Sequence, residues 1–239
     1  MLTVAEARAR LLELFQPLPA EAVPLEAALG RVLAEDVRAA EDLPPFANSS
    51  MDGFAVRVAD VARATPAEPV TLPVTGDIPA GAAVVPDLPP GAALRIMTGA
   101  PLPAGAEAVV PVEETDHAER GGALPAAVRV LKAPEPGANV RPAGQDVRAG
   151  QVVLPAGTPL RPAAIGVLAA LGYPQVRVHR RPLVALLSTG DELRRVDEPL
   201  EPGQIRDANG YSLAAAVEQA GGQVLRLGIA RDRLEAVAD

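Results

Sequence analysis

Short apolar runs separated by tight turns fill the middle of this 239-residue chain. The turns repeat one pattern, a proline two positions before a glycine, at residues 79–81, 89–91 and 103–105. Proline presets the backbone for the first corner of a type I turn, position i+1, and glycine suits position i+3, two residues later. The runs between the turns are too short for helices, so the pattern predicts a compact β domain or barrel over residues 44–136. Turn chemistry explains the spacing better than an internal repeat does.

Two helices are predicted before this region. Thr3 and Glu6 have the spacing of a capping box, and the apolar positions that follow end at Pro17. A second helix is predicted across residues 24–36, with Pro24 in its first turn. Its expected buried side consists of Leu25, Ala28, Leu29, Val32 and Leu33.

The segment after the β region mixes both kinds of structure. Residues 151–160 indicate strand, turn and strand, and residues 161–174 predict a helix with a proline in its first turn. Gly172 is expected to end that helix. We therefore predict a discontinuous mixed α/β domain formed by residues 1–43 and 137–177.

The last part of the chain has the pattern of an α/β unit. Residues 182–190 form a continuous aliphatic run that fits a parallel strand buried on both faces. A helix, a second strand at 223–230 and a second helix after Asp232 are predicted to follow. The residues expected to face inward from the first of these helices are Leu213, Ala216 and Val217. This order predicts the first part of an α/β domain over residues 178–239, with a right-handed crossover. Open α/β sheets usually have more strands, so we expect the chain to be part of a longer protein.

Composition and charge exclude several function classes. A net charge of −8 and a pI near 4.9 argue against a nucleic-acid partner. The absence of cysteine excludes disulfides, thiolate metal sites and cysteine nucleophiles, and His117 and His179 stand too far apart in sequence to suggest a histidine zinc site. No apolar run reaches the ~18 residues that a membrane span needs. The N-terminus lacks a signal-peptide pattern, so we expect a cytoplasmic protein without membrane partners.

Chemistry in this chain must then use carboxylates, hydroxyls, arginines, backbone amides or a metal held by oxygen ligands. One candidate is Asp52, which lies in a polar stretch of an otherwise aliphatic sequence. The Asp52-Gly53 pair between apolar runs is typical of a hairpin turn. From the residues alone, Asp52 is either a turn former or a reactive carboxylate.

A second candidate group is the segment 188–193, at the carboxyl end of the predicted parallel strand, where ligands of α/β sheets bind. The segment offers two hydroxyls and two carboxylates, an oxygen-ligand set that suits Mg²⁺. These groups belong to Ser188, Thr189, Asp191 and Glu192. The alternative is a solvated loop whose acids cap a helix, and the residue pattern favours neither interpretation.

Two further segments carry weaker signals. Thr98-Gly99 is ordinary turn material by itself, and Asp146 lies between Arg141 and Arg148. Those arginines either bind an anion or solubilise a loop, and the second interpretation is favoured. The sequence has no dinucleotide-binding glycine motif, Walker A loop, nucleophile elbow or His-Glu-x-x-His motif, so dehydrogenase, P-loop and hydrolase functions lack support.

Six stretches of the sequence, taken together and in order, resemble the molybdopterin molybdenumtransferase family, which includes the C-terminal domain of gephyrin. Each stretch is weak alone, but the six in this order are specific, and they cover essentially the whole chain. They are LEAALGRVLAEDV, PPFANSSMDGFAVR, RIMTGAPLPAGAEAVVPVEET, NVRPAGQDVRAGQVVLPAGTPLRPAAIGVLAALG, VALLSTGDEL and GQIRDANGYSL.

This resemblance implies an elongated, multidomain protein with a mixed domain, a compact β domain and an α/β domain of the molybdopterin-binding type. It implies an enzyme of the final step of molybdenum cofactor synthesis, which takes adenylylated molybdopterin and molybdate, releases the nucleotide with Mg²⁺ assistance and inserts molybdenum. It also implies a homodimer with an active site between subunits. Molybdopterin adenylyltransferase and other cofactor-synthesis proteins are the expected partners.

The resemblance also implies roles for individual residues. Catalytic roles fall to Asp52, Thr98, Asp146 and Glu192. Substrate-binding roles fall to Ser50, Gly99, Ser188, Thr189, Gly190, Asp207 and Asn209. The implied magnesium ligands are Asp191 and Glu192. For Asp52, the resemblance favours a reactive carboxylate that also lies in a turn.

Two alternatives stay open at this point. One is a non-catalytic scaffold with the same architecture, and the other is a nucleotide-binding protein similar to molybdopterin adenylyltransferases. The second shares VALLSTGDEL but lacks the β domain with the Met-Asp-Gly and Met-Thr-Gly motifs. Family members continue well beyond residue 239, so we expect this chain alone to have little or no transferase activity.

Overall fold

The computed structural model describes residues 2–117 and 122–233. The chain divides into two compact units. The central unit is Arg38–Val153, and the terminal unit combines Met1–Val37 with Leu154–Asp239. The three-part domain division expected from the sequence stays a prediction.

Strands and short helices alternate along the described chain. The strands are β1 (Ala20–Pro24), β2 (Val37–Arg38), β3 (Asn48–Ser49), β4 (Gly53–Val56), β5 (Val70–Ile78), β6 (Ala93–Ile96), β7 (Ala108–Pro111), β8 (Ala127–Val130), β9 (Val140–Arg141), β10 (Val152–Leu154), β11 (Gln175–His179), β12 (Leu183–Thr189), β13 (Leu193–Arg194), β14 (Ile205–Arg206) and β15 (Gln223–Ala230). The helices are α1 (Val4–Leu14), α2 (Val58–Val61), α3 (Pro162–Ala170) and α4 (Ala208–Gln219), with 3₁₀ turns at Leu25–Ala27 and Val112–Glu114. No helix among the described residues is both long and apolar enough to cross a membrane.

A five-stranded sheet forms the core of the central unit, in the order β7-β4-β6-β5-β8. Every residue of β4 is buried. Phe54 and Val56 pack in one apolar cluster, and Ala55 packs in another. Successive strand residues point to opposite faces, so the sheet has an apolar layer on each side. The sequence prediction of a β-rich middle is therefore confirmed.

The hairpin turn predicted at the Asp52-Gly53 pair is not found in the structure. Gly53 is the first residue of β4 and pairs with Ile96 on one side and Pro111 on the other, so no hairpin turn forms at this pair. A Cβ atom on Gly53 would overlap the carbonyl oxygen of Val110. The glycine is required by the close approach of a neighbouring backbone, which the Asp-Gly pattern does not reveal.

Arg95 on β6 and Asp77 on β5 form an ion pair across paired strands. Arg95 Nε and Nη2 donate to the two Asp77 carboxylate oxygens at 2.9 and 2.7 Å, and Nη1 donates to the Gly122 carbonyl at 3.1 Å. The hydrogen bonds from Arg95 lower the pKa of Asp77, and partial burial opposes this effect. The same hydrogen bonds raise the pKa of Arg95.

Replacing Asp77 with Asn is expected to make stability less dependent on pH. The folded-state pKa of Asp77 lies below its unfolded value, so its stabilisation is present above the unfolded pKa and is lost as pH falls through the folded pKa. The Asp77 side chain is 37% exposed, so solvent limits the effect to about 1 kcal/mol. Urea unfolding should show a wild-type advantage at pH 7 that shrinks as pH falls below the unfolded pKa of Asp77. Asp87→Asn, at an exposed residue, should show none at any pH.

The apolar core of the terminal unit contains residues from both of its chain segments. β1 pairs antiparallel with β11, and α3 contributes the buried Leu168. The cluster consists of Ala28, Leu33, Val37, Leu160, Leu168, Val176 and Val178. The predicted capping box is confirmed, since the Thr3 side chain accepts from the Glu6 amide and Glu6 caps the Thr3 amide. α1 nevertheless buries no residue within the described chain.

The predicted helix across residues 24–36 is wrong. Only a 3₁₀ turn forms at Leu25–Ala27, and Gly30 then adopts a φ of 75°, which ends the helical path. Val32 and Leu33 form bridges with Pro159 and Val178. These long-range pairings override the local helical pattern.

Two parallel strands, β12 and β15, are joined through α4, as predicted. Of the three residues predicted to face inward from α4, Val217 is half-buried, but Leu213 is 55% exposed and Ala216 is also exposed. The buried residue is Ala214, with Gly210 and Val217 half-buried on the same helical face. β12 alternates exposed and half-buried positions, so it is not buried on both faces within the described chain. The helix predicted after Asp232 falls in residues 234–239, outside the described residues.

Candidate functional site

Asp52 and Thr98 form a hydrogen-bonded pair in the central unit. Asp52 precedes β4, and Thr98 follows β6, the strand that pairs with β4. The Thr98 amide donates to Asp52 Oδ1 at 2.8 Å, and the Thr98 hydroxyl donates to the same oxygen at 2.7 Å. Two donors on one oxygen fix the orientation of the carboxylate at a half-exposed position.

The main chain around this pair is held by hydrogen bonds between segments distant in sequence. Gly99, with a φ of 81°, donates its amide to the Ser49 carbonyl at 2.8 Å, and the Ser49 amide donates to Ala100 at 3.0 Å. The Ser50 amide donates to the Asn139 carbonyl at 2.9 Å. Ser50 and Gly99, both expected at the site from sequence, therefore lie on the segments that position Asp52 and Thr98.

Asp146 lies in the loop after β9, and its side chain is exposed. Its amide donates to the Leu43 carbonyl at 2.9 Å. Asp42, which sequence reasoning missed, helps to hold this loop because its Oδ1 accepts from the Ala149 amide at 2.8 Å. No hydrogen bond among the described residues joins the Asp146 carboxylate to Asp52 or Thr98.

The second group of expected residues lies at the carboxyl end of β12, in the terminal unit. Ser188 donates its hydroxyl to Asp207 Oδ2 at 2.8 Å, and Asp207 caps α4 by accepting from the Gly210 amide at 2.8 Å. These residues line a cavity of about 350 Å³ together with Thr189 and Asn209. The expected substrate-binding residues of this unit, apart from Gly190, therefore line one cavity.

Glu192 and Asp191 lie in the loop that follows β12. Glu192 folds back over Gly190, where a Cβ atom would lie 2.6 Å from Glu192 Oε2. Gly190 has a φ of 154°, a backbone conformation that favours glycine, whereas the exposed Glu192 side chain could move away from an added Cβ atom. Both acidic side chains are exposed. The described residues contain no group of three acidic, histidine or cysteine side chains that could hold a metal, so a metal here would rely on one or two carboxylates.

A second cavity, of about 460 Å³, adjoins the cavity at Ser188. Gly190 and Asp191 form part of its wall. Arg194, Arg195 and Arg231 contribute to its wall. Arg195 pairs with Asp197 at 3.1 Å, and this hydrogen bonding raises the pKa of Arg195 and lowers that of Asp197. Sequence reasoning missed these arginines because arginine is spread through the whole chain and no motif marks them.

The expected site residues thus fall into two separate groups, one in each unit. Asp52, Thr98 and their supporting segments belong to the central unit. The hydroxyl and carboxylate groups between Ser188 and Asn209 belong to the terminal unit. Polar groups beyond the carboxyl ends of parallel strands, with a helix N-terminus beside them, define an α/β ligand-binding unit.

Comparison with known proteins identifies the family. The family profile described as MoeA N-terminal region (domain I and II) matches residues 2–172. A second profile, described as probable molybdopterin binding domain, matches residues 185–239. The chain therefore belongs to the MoeA family, and the resemblance inferred from the sequence is confirmed.

Individual relatives agree with this assignment. Molybdopterin molybdenumtransferase 2 of Mycobacterium tuberculosis is 49% identical over 210 residues, covering 88% of this chain and 50% of that protein. The molybdopterin molybdenumtransferase of Nostoc sp. is 45% identical over 92% of this chain and 49% of its own length. The crystal structure of the molybdopterin biosynthesis MoeA protein from Pyrococcus horikoshii OT3 matches with a TM-score of 0.81 at 36% identity, over 92% of this chain and 58% of that one. The chain spans about half the length of the curated relatives it matches.

Proposed function

We propose that this protein is a molybdopterin molybdenumtransferase, which inserts molybdenum into adenylylated molybdopterin and releases AMP. The observation that carries the proposal is the double hydrogen bond from Thr98 to one oxygen of Asp52. Cleavage of a phosphoanhydride needs a carboxylate in a fixed position to orient water or to move a proton. The name of the relatives, molybdopterin molybdenumtransferase, supports the transfer of molybdenum to molybdopterin.

The position of Asp52 is set by main-chain groups. One of its two Thr98 donors is a backbone amide, and the adjoining Gly99 amide is tied to the Ser49 carbonyl. A carboxylate held in this way needs little reorganisation when substrate binds. Asp146, in the same unit, is proposed as a second catalytic acid.

The terminal unit is proposed to bind the nucleotide and phosphate part of the substrate. Ser188, Thr189 and Asn209 line one cavity, and three arginines line the next. Guanidinium groups suit phosphate because they donate several hydrogen bonds in one plane. Asp207 orients Ser188 and the first turn of α4, while Glu192 is proposed as the catalytic acid of this unit.

The residues of the loop after β12 fit Mg²⁺. Mg²⁺ binds through one or two carboxylates together with water and substrate phosphates, and Asp191 and Glu192 present exposed carboxylates beside two hydroxyls. We propose these two residues as its ligands. When bound, the ion would neutralise charge on the phosphates.

The proposed function also includes an oligomeric state, a cellular location and a partner protein. We propose an elongated homodimer in the cytoplasm, with three domains per chain in this region and an active site shared between subunits. Molybdopterin adenylyltransferase, which supplies the adenylylated substrate, is the proposed partner.

Molybdate-dependent release of AMP tests the proposed function. Protein expressed from its complete gene would be incubated with adenylylated molybdopterin and Mg²⁺, with and without molybdate, and AMP would be measured by chromatography. We expect AMP release that rises with molybdate. No AMP release would contradict the proposal. Pyrophosphate release from ATP and molybdopterin would instead identify an adenylyltransferase.

A further inference from the structure

A cavity of about 410 Å³ in the terminal unit lies outside the site described above. It is lined by Glu21, Ala27, Arg31, Arg180, Arg181 and Gln223, and we call it the Arg31 pocket. Arg181 lies two residues before β12, and Gln223 is the first residue of β15, so the pocket lies at the amino end of this parallel pair. β12 has seven residues, so the Ser188 end lies about 20 Å away.

Arg31 is only 8% exposed, which is unusual for a charged residue. Its Nη2 donates to Glu21 Oε1 at 2.5 Å and to the His179 carbonyl at 2.8 Å. Its Nε is buried without a hydrogen-bond partner. Because this Nε atom is itself buried, Arg31 contributes mainly its positive charge to the pocket.

Two more arginines add charge to the pocket. The side chains of Arg180 and Arg181 are exposed and make no hydrogen bond or ion pair with any described residue. Glu21 is the one acidic residue among those that line the pocket, and it is already paired with Arg31. Three arginines against one glutamate leave an excess of positive charge in a chain whose net charge is −8.

We propose that the Arg31 pocket binds the phosphate group of a small polar phosphate ester. Arginine side chains that converge on one cavity are suited to phosphate because they can donate paired hydrogen bonds to its oxygens. The pocket volume falls in the range of small-molecule sites and exceeds what phosphate alone requires. Its lining offers one small apolar residue, Ala27, so the rest of the ligand is polar.

The proposal predicts opposite effects from two kinds of substitution. The double variant Arg180→Gln/Arg181→Gln removes two phosphate donors and is expected to weaken binding by about tenfold or more. Glu21→Gln keeps an acceptor for Arg31 but removes the competing negative charge, so it is expected to tighten binding several-fold. A purely structural role for these residues would not produce affinity changes of both signs.

Isothermal titration of the protein expressed from its complete gene, with ribose 5-phosphate at low salt, tests the proposal. Inorganic phosphate would be titrated in parallel and should bind more weakly. Arg161→Gln removes an exposed arginine elsewhere in the terminal unit and should bind as wild type does. Absence of wild-type binding, unchanged affinity in the Arg180/Arg181 or Glu21 variants, or equal affinity for the two probes would overturn the assignment.

Discussion

Replacing Asp52 with Asn is expected to lower kcat for molybdate-dependent AMP release by about 10²–10⁴-fold. Asparagine can still accept both Thr98 hydrogen bonds through its side-chain oxygen, so the local geometry should survive. The substitution removes the negative charge and the ability to accept a proton. The effect should therefore appear in kcat with little change in KM.

The matched control for this variant is Asp87→Asn. Asp87 is an exposed carboxylate of the same unit, and its substitution removes the same charge. Its kcat should equal that of wild type. Thermal unfolding should show that neither variant is globally destabilised. An Asp52→Asn enzyme with wild-type kcat would remove Asp52 from the catalytic assignment.

Replacing Gly53 with Ala is expected to destabilise the central unit by about 3 kcal/mol. The added methyl group would overlap the Val110 carbonyl oxygen and lie 2.9 Å from its carbonyl carbon. Both are backbone atoms of a strand paired with β4, so relief requires the two strands to separate. Urea unfolding, followed by a probe of the central unit, measures the loss.

Replacing Gly166 with Ala is expected to have the opposite effect on stability. Gly166 lies inside α3, and a Cβ atom there meets nothing within 4 Å. Alanine should stabilise this helix by roughly 0.5–1 kcal/mol because it lowers the conformational entropy of the unfolded chain. If Gly53→Ala and Gly166→Ala were equally stable, a steric conflict with Val110 could not explain why glycine occupies position 53.

Local sequence patterns predicted the elements that depend mainly on local interactions. The capping box of α1 and the order of β12, α4 and β15 follow from residue spacing and from a continuous aliphatic run. The pattern failed across residues 24–36, where Gly30 takes a left-handed conformation and Leu33 pairs with Val178. Such distant pairings leave no periodic signal in the segment itself.

The site was predictable to different degrees in its two parts. Ser188 could be placed at a ligand-binding strand end because it lies at the end of a predicted parallel strand, whereas only the family resemblance indicated Asp207, which caps the helix that follows. Asp52 and Thr98 are 46 positions apart, and only the family resemblance linked them before the strand pairing was known. No sequence pattern predicted that Arg31 is buried, because its burial depends on its hydrogen bonds to Glu21 and His179.

The most direct test of the central claim compares AMP release with molybdenum incorporation in one reaction. Protein expressed from its complete gene would receive adenylylated molybdopterin, molybdate and Mg²⁺, and the cofactor formed would be used to activate an apo-molybdoenzyme. A molybdenumtransferase predicts AMP and active cofactor in equal amounts, with both lost in Asp52→Asn and retained in Asp87→Asn. AMP release without active cofactor, or cofactor formation that is indifferent to Asp52, would contradict this account.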